Sequence, residues 1–286
     1  MKTLLAAIDL EPDSIVVVRR ATELACSLGA DLHLVHVVDD TFTLYESLVE
    51  IPMRHRLEEA ARRALQQFAD TLPEELKARS HCDVILGKPA KALLSTARNI
   101  AADLIIVGRH HKDPLQDLFS GTTAEKLLRY SHIPLLLVTG GETGTYRKLV
   151  AATDFSRSSH HALKSALWVA PQAKIRLIHV FDPPFMGLAR YRQQDMEELV
   201  VRQNARIKQE IAEEMLHFLG NDDQSRISTQ VLSGETQACI AHVVDKQQSQ
   251  LLVLGTHGRQ GISRLMVGSV AMGFLSAPPC DVLVAK

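Results

Sequence analysis

Four short motifs occur twice in this chain, in the same order, and that repetition limits the folds open to it more than any other feature. Ala6-Ala7-Ile8-Asp9 recurs as Ala151-Ala152-Thr153-Asp154, and Leu34-Val35-His36-Val37 as Leu177-Ile178-His179-Val180. Asp103-Leu104-Ile105-Ile106-Val107-Gly108 is matched by Gln250-Leu251-Leu252-Val253-Leu254-Gly255, and Gly121-Thr122 by Gly268-Ser269. Ordered matches at a nearly constant offset mean two copies of one unit in tandem. With 286 residues in all, each copy is large enough to fold on hydrophobic burial alone. The boundary falls in Thr139-Gly140-Gly141-Glu142-Thr143-Gly144-Thr145, a short, polar, glycine-rich linker. The expected domains are 1–140 and 146–286.

Within each copy, short apolar runs alternate with helical patterns. The first copy has strand-like runs near 3–8, 31–38, 81–86, 103–108 and 133–138; the second repeats them near 148–153, 174–180, 227–232, 250–255 and 281–285. Between runs, Leu57, Ala60, Ala61, Ala64, Leu65, Phe68 and Leu72 recur at helical spacing, as do Met196, Leu199, Val200, Ile207, Ile211, Met215 and Phe218 in the second copy. Apolar strands separated by helices predict a parallel sheet covered on both faces. The fold class is therefore α/β, two tandem doubly wound domains with five-stranded parallel sheets. Ligands of such domains bind at the carboxyl ends of the strands, where the strand order reverses.

Charge and cysteine usage narrow the function. Basic and acidic side chains balance at 32 and 33, and no basic stripe stands out, so a nucleic-acid partner is not expected. Cys26, Cys82, Cys239 and Cys280 are far apart, which suits reduced, buried thiols rather than disulfides or a zinc site. The N-terminal apolar run is broken by Asp9 and Glu11, unlike a signal peptide. No run approaches the roughly 18 apolar residues of a membrane helix. A soluble, cytoplasmic protein is expected.

Chemistry concentrates after the fourth strand of the second copy. There the sequence reads Gly255-Thr256-His257-Gly258, nine residues, then Gly268-Ser269-Val270. Gly255 ends the strand where a side chain would crowd a ligand on the sheet edge. Gly258 lets backbone N–H groups approach an anion closely. Gly268 and Ser269 open the last helix, whose free N–H groups and dipole attract phosphate oxygens. A glycine-rich turn alone is often only turn chemistry. Here it is joined by Thr153-Asp154-Phe155-Ser156 at the end of the first strand, the neighbouring strand end at the switch point. A carboxylate there can accept ribose hydroxyls, or it can cap the next helix; both roles suit Asp154.

Gly255-x2-Gly258-x9-Gly268-Ser269, with Asp154-x-Ser156 and His179-Val180, resembles the universal stress protein family over essentially the whole chain, twice. The glycine pattern marks that family's ATP-binding branch. The resemblance implies an ATP-binding stress-response regulator, with Asp154 and the adjoining Thr153 at the ribose and the Val180 backbone at the adenine. It implies Gly255, Gly258, Gly268, Ser269 and Val270 around the phosphates, with a divalent ion such as magnesium. It further implies pairing through the fifth strands, 133–138 and 280–285, as an intramolecular pseudo-dimer open to further homodimerisation, and an unidentified protein partner. Asp281 stands where members often have proline.

The first copy departs further. Its loop reads Gly108-Arg109-His110-His111, nine residues, Gly121-Thr122, so His111 replaces the glycine equivalent to Gly258. Its first-strand motif is Asp9-Leu10-Glu11, without the serine. This site is expected to be degenerate and structural. His110, His111 and His132 have no cysteine or carboxylate at ligand spacing, so no metal site is assigned; His160 and His161 are expected at the surface, and His36 and His179 to be partly buried and hydrogen-bonded. Two alternatives remain, a slow ATPase of the same fold and a nucleotide-independent interaction module. An adenylyl-transferring enzyme is disfavoured, since neither His-x-Gly-His nor Ser-Gly-Gly-x-Asp-Ser occurs.

Overall fold

The computed structural model describes residues 1–39, 51–109, 123–181, 193–218, 225–256 and 267–286. The chain divides into two compact units, the first built on Met1–Thr145 and the second on Tyr146–Ile262 with Gly268–Val282.

In the first unit, β1 (Thr3–Ala7) leads through a 3-10 turn (Pro12–Ser14) into α1 (Ile15–Leu28), followed by β2 (Asp31–Val38), α2 (Ile51–Asp70), α3 (Glu74–Lys77), β3 (Ser80–Leu86), α4 (Pro89–Asn99), β4 (Leu104–Gly108), α5 (Thr123–Tyr130) and β5 (Leu135–Val138). The sheet order is β3-β2-β1-β4-β5, and its pairs are parallel. Parallel pairing follows from composition. Leu104, Ile105, Ile106 and Leu135–Val138 are buried, so neither sheet face can stand against water. Helix α1 turns Val17, Val18, Ala21, Leu24 and Ala25 onto the sheet. It stops at Gly29, whose φ of 60° closes the left-handed C-cap at little steric cost.

The second unit repeats the plan. It comprises β6 (Lys148–Ala152), α6 (Arg157–Val169), β7 (Lys174–Phe181), α7 (Gln193–Phe218), β8 (Ile227–Ser233), α8 (Thr236–Gln247), β9 (Leu251–Gly255), α9 (Ser269–Ser276) and β10 (Asp281–Ala285). Its order is β10-β9-β6-β7-β8, with β7 parallel to β6 and β8, and β9 parallel to β6. Each sheet is doubly wound, and the order reverses between β1 and β4 and again between β6 and β9. Those two reversals are the switch points at which such sheets hold ligands.

Within the linker, buried Arg20 donates to the Glu142 carbonyl at 2.6 Å and the Gly144 carbonyl at 2.5 Å, and Glu23 accepts the Gly144 N–H at 2.7 Å. Two expectations need correction. Cysteine burial is less than expected, with Cys26 exposed and the other three half-buried, all of them free thiols. His160 is no surface residue; its Nε2 lies 3.3 Å from Glu214 on α7, with the side chain 19% exposed.

Candidate functional site

At the second switch point the chain leaves β6 through a tight turn. Thr153 is buried, and its hydroxyl accepts the Phe155 N–H at 3.0 Å while pairing with Ser159 Oγ at 3.1 Å. Asp154 Oδ1 accepts the Ser156 N–H at 3.0 Å, an Asx turn. Phe155 then adopts φ 63°, an uncommon conformation for a bulky residue. Ser156, not Asp154, caps α6, its Oγ accepting the Ser159 N–H at 3.2 Å. With capping assigned to Ser156, the Asp154 carboxylate sits in the turn ahead of the helix.

Strand β7 supplies the second wall. His179 Nδ1 donates to the Thr153 carbonyl at 2.7 Å, and its ring packs against Phe155 at a centroid distance of 4.8 Å. Because the carbonyl can only accept, the neutral ring carries its proton on Nδ1. The last β6 bond to β7 runs from the Thr153 N–H to the Ile178 carbonyl at 2.9 Å. Residues two apart in a strand turn their backbone groups to the same side. The N–H and C=O of Val180 therefore point to the side that β6 has left.

Gly255 ends β9 beside that turn, and a Cβ there would lie 2.6 Å from the Ser159 nitrogen and 2.8 Å from the Ser158 carbonyl carbon. The glycine is demanded by the start of α6, which differs from the ligand crowding expected from sequence. Thr256 is fully buried, and its carbonyl accepts the Gly268 N–H at 2.7 Å. That bond ties the start of α9 to the end of β9. It also leaves the Gly268 N–H already bonded within the protein. Gly268 is the N-cap of α9 and has no side-chain capping bond, so the first-turn donors at Ser269 and Val270 have no intrahelical acceptor. Gln237 on α8 donates to the Ser269 carbonyl at 3.2 Å, bracing that turn. Gly258 lies outside the described residues.

The first unit shows the same frame with different contents. Leu10 has φ 65°, and His36 Nδ1 donates to the Ile8 carbonyl at 2.7 Å. Ile8 and Leu10 stand where Thr153 and Phe155 stand, so the hydroxyl brace and the ring contact are missing. Ser14, the counterpart of Ser159, donates its hydroxyl to Asp9 Oδ1, and the same oxygen accepts the Glu11 N–H at 3.1 Å. In the second unit Ser159 Oγ donates instead to the Ser156 carbonyl at 2.9 Å. The equivalent serine hydroxyl thus bonds the strand-end carboxylate in the first unit and the Ser156 carbonyl in the second. His110, His111, Gly121 and Thr122 lie outside the described residues.

Of the sequence-derived residues, the structure brings Thr153, Asp154, Val180, Gly255, Gly268, Ser269 and Val270 to one end of the second sheet. Sequence reasoning missed the positive φ at Leu10 and Phe155 and the part played by Ser159. The matching spacing of Asp9 to Ser14 and Asp154 to Ser159 was the available signal. Among the described residues, no helix is long and apolar enough to cross a membrane, and no three His, Cys, Asp or Glu side chains group as a metal site.

Comparison with known proteins agrees with this architecture. A model of the family described as "Universal stress protein family" matches residues 1–139 and again 145–286. A universal stress protein A homolog of Coxiella burnetii is 34% identical over 143 residues, covering 48% of this chain and 95% of its own. A universal stress protein of Mycolicibacterium smegmatis is 22% identical and covers 99% of this chain and 96% of its own length. Among solved structures, a universal stress protein from Archaeoglobus fulgidus superposes with a TM-score of 0.68 at 17% identity, covering 99% of this chain and 98% of that one.

Proposed function

This chain belongs to the universal stress protein family, and from that premise we propose that it is an ATP-responsive regulator whose nucleotide sits in the second unit. The observation that carries the reading is the α9 N-terminus, with a glycine at its N-cap that is bonded to Thr256 at 2.7 Å, beside the β6–β9 reversal. A helix start so placed attracts phosphate through its free N–H groups and dipole. Asp154 supplies acceptors for ribose hydroxyls and Val180 backbone groups for the base edge, with magnesium sharing the phosphate charge. Gly258, by its sequence position, lets the connecting loop close on the phosphates.

Nucleotide occupancy then sets which protein partner the second unit engages. The first unit serves as scaffold, its carboxylate held by Ser14. Nucleotide co-purifying with the chain, released by acid and identified by mass, tests the proposal; adenine nucleotide is expected, and its absence together with no binding of added ATP would overturn it. Hydrolysis is expected to be slow. Phosphoryl transfer needs a positioned base or water-orienting group, and the loop sequence Gly255 to Val270 contains no carboxylate. Steady-state ADP release should stay well below about 1 per second, the low end of ordinary enzymes.

A further inference from the structure

Helices α8 and α9 of the second unit meet through a side chain that the first repeat lacks. Gln237, half-buried in the first turn of α8, donates its amide N–H to the Ser269 carbonyl at 3.2 Å. The same amide lies over Gly273, one turn along α9. A Cβ there would come within 2.7 Å of Gln237 Nε2 and 2.8 Å of its Oε1. Glycine is the poorest helix former after proline, and here it leaves the space that the amide fills. The backbone of Gln237 is fixed in turn by Glu235. That carboxylate caps α8, accepting the Gln237 N–H at 3.0 Å and the Ala238 N–H at 2.6 Å.

Packing does not demand this arrangement. From Gly87 with Gly234 to Gly121 with Gly268 the two repeats align without a gap, which sets Ala90 against Gln237 and Lys126 against Gly273. The first repeat brings α4 against α5 with neither the amide nor the glycine. What the second repeat gains by the exchange is one hydrogen-bond donor, aimed at the start of α9.

That donor acts on a particular peptide group. The Ser269 carbonyl and the Val270 N–H are the two ends of one planar unit. A hydrogen bond at the carbonyl end fixes the plane and polarises it, which makes the N–H at the other end a stronger donor. Val270 is the second residue of α9, so its N–H is among those that helix geometry leaves without an intrahelical acceptor.

We propose that Gln237 is a positioning residue of the nucleotide site: through the Ser269 carbonyl it orients and strengthens the Val270 N–H that meets the phosphates. The assignment rests on the nucleotide reading of the second unit. It adds a difference between the repeats, because Ala90 carries no donor.

The test compares the full chain with Gln237→Met, which keeps the side-chain length without a donor, with Gln237→Ala and with Gly273→Ala. Without nucleotide, the Val270 amide-proton resonance should move upfield in Gln237→Met, since its peptide loses polarisation. Titrated with ATP and magnesium, both Gln237 variants should bind about fivefold more weakly, the equivalent of one neutral hydrogen bond. Adenosine, which has no phosphate, should bind unchanged. Gly273→Ala should weaken ATP by a similar factor, because its Cβ displaces the amide, but should add little on top of Gln237→Ala. The proposal is overturned by a Val270 resonance that Gln237→Met leaves in place, by unchanged ATP affinity in both Gln237 variants, or by equal losses for ATP and adenosine. ATP binding that ignores Gln237 overturns this proposal alone, whereas no ATP binding by the unaltered chain overturns the nucleotide reading and this proposal with it.

Discussion

At the scale of single residues, two glycines at equivalent strand ends make different demands. A Cβ at Gly255 would press into α6 backbone at 2.6 Å, whereas one at Gly108 would meet only the Val17 side chain at 2.9 Å. Backbone cannot step aside as a rotamer can. Gly255→Ala should cost about 2–3 kcal/mol, at the upper part of the overpacking range, and Gly108→Ala clearly less; urea unfolding of the two variants ranks them. Ser156→Ala removes the α6 cap and should cost about 1 kcal/mol, read from the same curves. His33 carries a pH dependence of definite sign. Burial and the facing His81 hold its folded pKa below the usual 6.5, so the unfolded chain binds the proton more tightly. The His33 contribution is present above about pH 6.5 and is lost as the pH falls through the lowered folded value. The acid-side decline in stability should therefore diminish in His33→Phe, compared by thermal melts between pH 7.5 and 5.

At the scale of elements, strand and helix identity was legible because burial on both faces leaves a plain signature. The runs at 31–38 and 281–285 are β2 and β10 to the residue, and the others begin and end within a residue or two. The turns were less legible. Nothing in Asp9-Leu10-Glu11 announces φ 65° at Leu10 or the 3-10 turn that follows, since both arise from packing α1 against the sheet. The start of α9 was readable from Gly268-Ser269, but the Gly268 N–H bond to Thr256 was not. That bond depends on where β9 ends. The hydrogen bonds from Arg20 on α1 to the tract after β5 were likewise not legible, because they depend on how α1 packs. Arg20 is only 5% exposed and also pairs with Glu23 at 2.7 Å. Deleting a buried cation strands its partners, so Arg20→Ala should cost about 3 kcal/mol. It should also open residues 139–145 to limited proteolysis, with the cut site read by mass spectrometry.

For the molecule as a whole, the central claim is an asymmetry between repeats that share a fold. Backbone geometry barely distinguishes them: φ is 65° at Leu10 and 63° at Phe155, and each strand-two histidine bonds its turn carbonyl at 2.7 Å. The contents differ, with Asp9 held by Ser14, His111 in place of Gly258, and a ring contact present only at Phe155. Ligand binding to the folded state alone stabilises it by mass action, about 2.7 kcal/mol at a hundred times the dissociation constant. Titration calorimetry with ATP and magnesium on the intact chain, Asp154→Ala and Asp9→Ala measures the asymmetry directly. One site per chain is predicted, weakened at least about tenfold by Asp154→Ala, the loss of charged hydrogen bonds to the ribose, and unchanged by Asp9→Ala. Two equivalent sites, or a single site that Asp9→Ala abolishes and Asp154→Ala leaves intact, would contradict the account.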